Sequence, residues 1–220
     1  MRVVCCVPMK LYNERLPNKN IIQLANGQPL CTFILQTLLG ISVIDDIIVY
    51  CSDSSITSYL PVGVRFMKRG THLDTNTTSM IEVLQCFVSD VEADIYILAH
   101  ATAPFLQSSS IENALQQVKS GCYDSAFSVQ KHHDFIWVNG IANYDPKDIP
   151  RTQDLPPYFK ETSGFYIFKR SVITQLGQRI GSRPYMQEVN WIEGIDIDDQ
   201  EDLNFANTVL LSHMIKETEL

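Results

Sequence analysis

The sequence predicts an α/β fold, a mainly parallel sheet flanked by helices on both faces. Three observations carry that expectation. Short runs of consecutive apolar residues recur along the chain, as strands buried on both faces require. Segments with a 3.6-residue apolar period separate them, long enough for right-handed crossovers between parallel strands. The apolar runs also empty directly into polar or charged loops, which in open α/β sheets gather at one ligand-binding edge.

Residues 2–7 (Arg2-Val3-Val4-Cys5-Cys6-Val7) form the first strand, halted at Pro8. Residues 29–39 form a helix with Leu30, Phe33, Ile34, Thr37 and Leu38 on one face. Residues 46–51 are a second strand, closed by the turn Ser52-Asp53-Ser54, and residues 62–67 offer a third. Asn76-Thr77-Thr78-Ser79 opens a helix through Ile81, Val83, Leu84 and Val88, with Glu82 in its early turns. Residues 94–99 make the clearest strand, followed by the loop His100-Ala101-Thr102-Ala103-Pro104-Phe105. The serines at 108–110 cap the next helix, and residues 124–129 are another strand.

The alternation breaks over residues 130–158, where histidines, aromatics and prolines crowd together. There Asp134-Phe135-Ile136-Trp137-Val138, followed by Asn139-Gly140, reads as a hairpin arm. Such an arm is either a partner surface or a cover for the chain's own core. Residues 164–168 return to the sheet. A last helix, about 200–215, is expected to bury Leu203, Phe205, Ala206, Val209 and Leu210.

A chain of 220 residues suits one sizeable core, so residues 1–220 are read as a single domain with 130–158 inserted. A net charge of -8 argues against an extended nucleic-acid surface, which needs a basic footprint. It leaves room for a small anion, because Lys10, Arg15 and Lys19 make a local positive patch. No apolar stretch reaches the roughly 18 residues of a membrane helix, and the N-terminus does not read as a signal peptide. The six cysteines show no paired metal spacing, as expected of buried thiols in a cytoplasmic protein.

The chemistry concentrates at two ends of the chain. In Ile195-Asp196-Ile197-Asp198, strand alternation would send both isoleucines inward and both aspartates to the opposite face. Paired carboxylates repel unless a cation or proton lies between them, and Mg²⁺ favours a few carboxylates plus phosphate oxygens. Two readings stay open there: a metal pair at Asp196 and Asp198, or a strand end leading into the N-cap of the last helix. Asp199, Glu201 and Asp202 suit the positive end of that helix. At the other end, Lys10, Arg15 and Lys19 could neutralise phosphates, with Asn13 and Asn20 offering amides to a base, ribose or phosphate. Neither common glycine-rich phosphate fingerprint is present. His100 follows a central strand and could hydrogen-bond or act as a general base. Ser52, Asp53 and Thr102 occupy comparable strand ends, while the adjacent His132 and His133 are read as arm surface.

Taken in order, several motifs resemble the acylneuraminate (CMP-sialic acid) cytidylyltransferase family and its Kdo-type relatives. They are Leu16-Pro17-Asn18-Lys19-Asn20, Cys51-Ser52-Asp53-Ser54, Arg69 with Asp74, and Ala101-Thr102-Ala103-Pro104-Phe105. Asp124-Ser125-Ala126-Phe127-Ser128-Val129, Arg151-Thr152-Gln153-Asp154-Leu155-Pro156, Gly164-Phe165-Tyr166-Ile167-Phe168 and the Asp196–Asp198 segment continue the series. The resemblance implies a Rossmann-like nucleotidyltransferase sheet with a protruding arm that builds a homodimer. It implies Mg²⁺-dependent attack of an acidic sugar's hydroxyl on the α-phosphate of CTP, giving a CMP-sugar and pyrophosphate. It would place Lys10, Arg15 and Lys19 on the triphosphate, Asn20 and the Ser52-Asp53 turn near the cytidine, Mg²⁺ on Asp196 and Asp198, and Arg151 and Gln153 near the sugar.

The chain departs from the family pattern around the ligands. Where that pattern has Ala-Arg-Gly-Gly-Ser-Lys, this chain has Met9-Lys10-Leu11-Tyr12-Asn13-Glu14, and His100 stands where a glutamine is expected. Near Gly164 the usual Asn-Gly-Ala is absent or shifted by one residue. Two alternatives follow: the same transfer onto a different sugar or phosphorylated acceptor, or a nucleotide-binding module without catalysis.

Overall fold

The computed structural model describes residues 1–218. The strands among the described residues are β1 (Val3–Met9), β2 (Asp46–Cys51), β3 (Val64–Lys68), β4 (Ile95–Ala99), β5 (Ser125–His132), β6 (Trp137–Val138), β7 (Ile141–Ala142), β8 (Tyr158–Lys169) and β9 (Pro184–Glu188). The α-helices are α1 (Leu30–Leu39), α2 (Met80–Asp90), α3 (Ser108–Lys119), α4 (Arg170–Leu176) and α5 (Gln200–Thr218). Seven strands form one sheet in the order β3-β2-β1-β4-β8-β5-β9. Pairing is parallel except where β8 runs antiparallel to both β4 and β5.

Because β1 is buried throughout, its side chains feed two cores in alternation. Val3, Cys5 and Val7 meet α1 and α3 through Ile34, Leu35, Ile111 and Leu115. Val4 and Cys6 meet α2 and α4 through Leu84, Phe87, Val172 and Ile173. The expected layers of helix, sheet and helix are present. Helix α2 starts where its sequence says it should, since Ser79 and Glu82 form a reciprocal capping box.

A third, smaller cluster positions the site. Leu16, from the loop after β1, packs with Leu24, Leu30, Ile197, Leu203 and Ala206. Burying side chains such as Leu16 and Ile197 contributes about 2 kcal/mol each. Apolar packing therefore brings the loop after β1 against residues 197–206.

Several expectations need correction. Residues 195–198 are not a strand; the segment is held by Ile197 N–H donating to the Thr102 carbonyl (2.9 Å). Alternation survives all the same, with Ile197 buried and both aspartates turned the other way. Phe205 on α5 is not buried but 59% exposed, while Leu203 and Ala206 do the packing. Strand β8 is far longer than residues 164–168, and β9 adds an edge strand beyond the expected ones. The hairpin is only β6 and β7, turning at Asn139 (φ 51) and Gly140 (φ 80), the left-handed pair that such a turn demands. His132 is not arm surface: it is buried, stacked on Tyr158 at 5.1 Å and edge-on to Trp191. Four cysteines are buried, but Cys86 is half-buried and Cys122 exposed.

Candidate active site

The order β2-β1-β4 makes the boundary between β1 and β4 a topological switch point. The chain leaves β1 toward β2 on one side, while β4 lies on the other. A crevice outside the carboxyl ends of such neighbouring strands is the standard ligand position in open α/β sheets. Here it is a cleft of about 350 Å³. Lys10 follows β1, His100 follows β4, and both line it together with Asn13, Lys19, Asn20, Thr102, Asp196 and Asp198.

The loop after β1 is held in shape from within. Leu11 and Leu16 turn inward, and the Asn20 amide donates to the Lys10 carbonyl (2.8 Å). Asn18 adopts a left-handed φ of 55° that starts the short turn Lys19–Ile21. That turn aims the Lys19 ammonium at Asp198 Oδ1, 2.9 Å away, while Arg15 reaches Asp198 Oδ2 at 3.0 Å. Lys19 is 12% exposed and Arg15 68%, so solvent screens the second contact far more. Lys10 donates to Asn76 Oδ1 at 3.3 Å, and Asn76 in turn donates to Glu14, closing the outer rim.

The two aspartates sit in different environments. Partial burial pushes the Asp198 carboxyl up, but the Lys19 hydrogen bond and the charges of Lys19 and Arg15 outweigh it and hold it below the usual range. Burial pushes Asp196 above that range; the Thr102 hydroxyl opposes the rise and the Asp198 charge adds to it. Asp196 Oδ1 is sealed and has no hydrogen-bond partner among the described residues. An ionised group left in that state needs a cation or a proton.

Asp196 and Asp198 are the carboxylates that could hold a divalent cation, which would have to share Asp198 with Lys19 and Arg15. Mg²⁺ takes one or two carboxylates and completes its shell with water and phosphate oxygens. No cluster of three or more His, Cys, Asp or Glu side chains suited to a metal occurs among the described residues, so the pair does not suit an ion held by protein alone. Asp199 and Asp202 serve the helix instead. Asp202 accepts from the Asp198 and Asp199 amides (2.8 and 3.1 Å), and Asp199 accepts from those of Glu201 and Asp202.

His100 presents a neutral imidazole. Burial, then the charges of Arg179 and Lys19, lower its pKa to about 4, with Asp198 opposing. Its Nε2 is sealed and unpartnered among the described residues.

Four of the expected contacts lie elsewhere. Ser52 does not line the cleft; its hydroxyl donates to Asp74. Asp53 is a cap, accepting from Ser55 N–H at 2.9 Å. Arg151 and Gln153 are exposed on the arm, where Arg151 pairs with its own neighbour Asp154 at 2.7 Å. What the Ser52 turn supports is Arg69, a site residue not selected from the sequence. Arg69 is 6% exposed, lines the cleft, and donates to Asp74 at 2.7 Å. Its Nε is sealed and free of partners among the described residues. The pairing of Arg69 with Asp74 was visible as a motif, but its direction into the cleft depends on how β3 ends.

A second cleft of about 480 Å³ adjoins the first and shares Ser163, Asp196 and Asp198 with it. Its outer wall carries Gln130, Lys160, Glu161, Trp191 and Phe205. The site therefore has a cationic compartment and a mixed polar–aromatic compartment, with the two carboxylates between them.

The family model described as cytidylyltransferase matches residues 4–219. N-acylneuraminate cytidylyltransferase B of Danio rerio is 30% identical over 201 residues, covering 84% of this chain and 47% of its own length. The 3-deoxy-manno-octulosonate cytidylyltransferase of Escherichia coli is 23% identical over 206 residues, covering 85% and 80%. This chain spans about half the length of the N-acylneuraminate relatives it matches. A solved CMP:2-keto-3-deoxy-manno-octonic acid synthetase complexed with CTP has the same fold, with a TM-score of 0.73 at 17% identity over 97% of this chain and 100% of that one.

Proposed function

The chain belongs to the cytidylyltransferase family, and from that premise we propose that it activates an acidic sugar of the nonulosonate type with CTP, yielding a CMP-sugar and pyrophosphate. The observation that carries this reading is the contact of Lys19 with Asp198, 2.9 Å across 179 positions of sequence, in the cleft at the switch point. Cations that hold phosphates and carboxylates that hold a metal meet in one hollow. Nucleotidyl transfer needs that combination more than it needs covalent help.

Lys10 and Lys19 grip the triphosphate, with Arg15 at the rim. Asn13 and Asn20 line the same compartment, together with Arg69. Asp196 and Asp198 would hold Mg²⁺, which supplies charge neutralisation at the phosphates. The acceptor enters through the second cleft, so that its hydroxyl meets the α-phosphate beside Asp196. Asp196 lines both clefts beside the incoming hydroxyl, whose proton passes to solvent as the ester forms. The bond formed joins the sugar oxygen to phosphorus, the bond broken releases pyrophosphate, and the released charge stays on the lysines.

Pairing of two copies through the arm belongs to this proposal. Trp137, Val138 and Ile141 are 59%, 61% and 73% exposed, apolar surface that a second copy would cover. Arg151 and Gln153, remote from the cleft of their own chain, would reach an acceptor only in such an assembly. No helix of the described residues is long and apolar enough to cross a membrane.

The test is pyrophosphate release with CTP and Mg²⁺ over sialic, legionaminic, pseudaminic and Kdo-type acceptors. Release with at least one acidic sugar, lost in Lys19→Ala, supports the reading. No release across that panel, with release on a neutral or phosphorylated acceptor, replaces the substrate class. Tight CTP binding without any turnover replaces catalysis with binding.

A further inference from the structure

The segment that carries Asp196 is not a strand, so its place rests on individual contacts with the chain between β4 and the first turn of α3. One contact lies downstream of Asp196, where Ile197 N–H donates to the Thr102 carbonyl at 2.9 Å. The other lies upstream, at Glu193. This residue is 4% exposed, a burial that a carboxylate tolerates only when its oxygens are hydrogen-bonded. Glu193 Oε2 accepts from Gln107 N–H (3.1 Å) and from Ser110 Oγ (2.7 Å). Helix α3 has no side-chain cap at Gln107, and a carboxylate 86 positions away stands at its positive end instead.

The second oxygen of Glu193 serves its own turn. Oε1 accepts from Asn190 Nδ2 (2.9 Å), while Asn190 Oδ1 accepts from the Ile192 and Glu193 amides (2.9 and 3.0 Å). Gly194 N–H donates to the Asn190 carbonyl and Ile195 N–H to that of Ile192 (3.1 and 3.2 Å), which carries the closed turn up to Asp196. Gln130 of β5 packs against Gly194, where a Cβ would strike its side-chain amide. Glu193 itself lines neither cleft, whereas Trp191, Gly194 and Asp196 do. A shift of the turn along α3 would therefore reach the site through those three residues.

We propose that Glu193 is a positioning residue for nucleotidyl transfer: its buried carboxylate fixes the 190–195 turn against α3 and so sets where Asp196 stands between the two clefts. The inference rests on the cytidylyltransferase reading and adds to it a residue remote from nucleotide and acceptor. The bridge needs two accepting oxygens. In Glu193→Gln one of them becomes an amide nitrogen facing the Asn190 amide, whose own oxygen is already taken by two backbone N–H groups.

The test uses the full chain with Glu193→Gln and, separately, Ser110→Ala, which removes a donor from the helix side alone. Each is measured for thermal midpoint, for CTP affinity by calorimetric titration without Mg²⁺, and for kcat of pyrophosphate release well below the midpoint. Both variants should melt lower than wild type, as a purely structural role also requires. The split between kcat and nucleotide affinity decides. Misplacing Asp196 should lower kcat about tenfold in Glu193→Gln and about threefold in Ser110→Ala, with the CTP dissociation constant within about twofold of wild type. Wild-type kcat in both folded variants makes Glu193 a helix cap only, overturns the inference and leaves the transferase reading standing. Should Glu193→Gln fail to fold, wild-type kcat in Ser110→Ala overturns it alone. Loss of CTP affinity in step with kcat overturns it as well, because the whole cleft would then have moved. Absence of pyrophosphate release from wild type on every acceptor removes the transferase reading, and the inference with it.

Discussion

His100 allows a quantitative test that needs no substrate. Its imidazole titrates near 6.5 in an unfolded chain and is held at about 4 in the fold, first by burial and then by Arg179 and Lys19. Between those values the unfolded chain binds the proton and the folded one does not. The stability linked to His100 is therefore complete above pH 6.5 and drains as pH falls toward 4. At about 1.4 kcal/mol per unit, the full span is at most about 3.5 kcal/mol. Between about pH 7 and about pH 4.5 some 2.5 kcal/mol should be lost through this residue. Urea unfolding of wild type and His100→Gln at both pH values isolates the effect, because everything else that titrates is common to the two. The variant should lose about 2.5 kcal/mol less than wild type on acidification. If both proteins lose the same amount, the imidazole is not held neutral by burial, and the description of the cleft wall is wrong.

Lys19→Ala and Arg15→Ala should differ although both remove a partner of Asp198. The half-buried Lys19 contact should cost about 2 kcal/mol of stability in urea unfolding, and the exposed Arg15 contact less than about 0.5 kcal/mol. Asp196→Asn should raise stability by about 1 kcal/mol, because a desolvated carboxylate with an unpartnered oxygen is removed, while pyrophosphate release falls at least tenfold; differential scanning calorimetry and the release assay read the two effects. Ser79→Ala should cost about 1 kcal/mol through loss of the α2 cap, with KM for CTP unchanged.

The fold was legible where burial is two-sided. Residues 2–7, 46–51 and 94–99 are apolar at nearly every position, and they became β1, β2 and β4. Ser79 and Glu82 announced the start of α2 through a local bond that needs no tertiary partner. The opposite half of the sheet was harder to read. Strand β8 begins in Tyr158, Phe159, Lys160 and Glu161, mostly exposed, so its first half carries no core period. Strand β9 lies at the sheet edge with a half-exposed, polar pattern behind Pro184. Phe205 looked like core because periodicity cannot say which apolar side chain borders a cleft.

In the site, the loop cations and the late aspartates were legible because strand ends in this fold share one edge. Ser52 and Asp53 obey the same rule and yet spend their side chains locally, on Asp74 and on Ser55 N–H. Arg69 and Ser163 escaped selection for a common reason. Each depends on a backbone path, the end of β3 and the bulge of β8, that no residue type signals by itself.

Calorimetric titration of CTP, with and without Mg²⁺, into wild type and into an Asp196→Asn, Asp198→Asn double variant probes the joint cleft most directly. Wild type should bind CTP at least tenfold more tightly when Mg²⁺ is present, and the double variant should show no such gain. Equal tightening in both proteins would mean that the aspartates do not receive the metal–nucleotide pair, and the cleft between β1 and β4 would lose its assigned role.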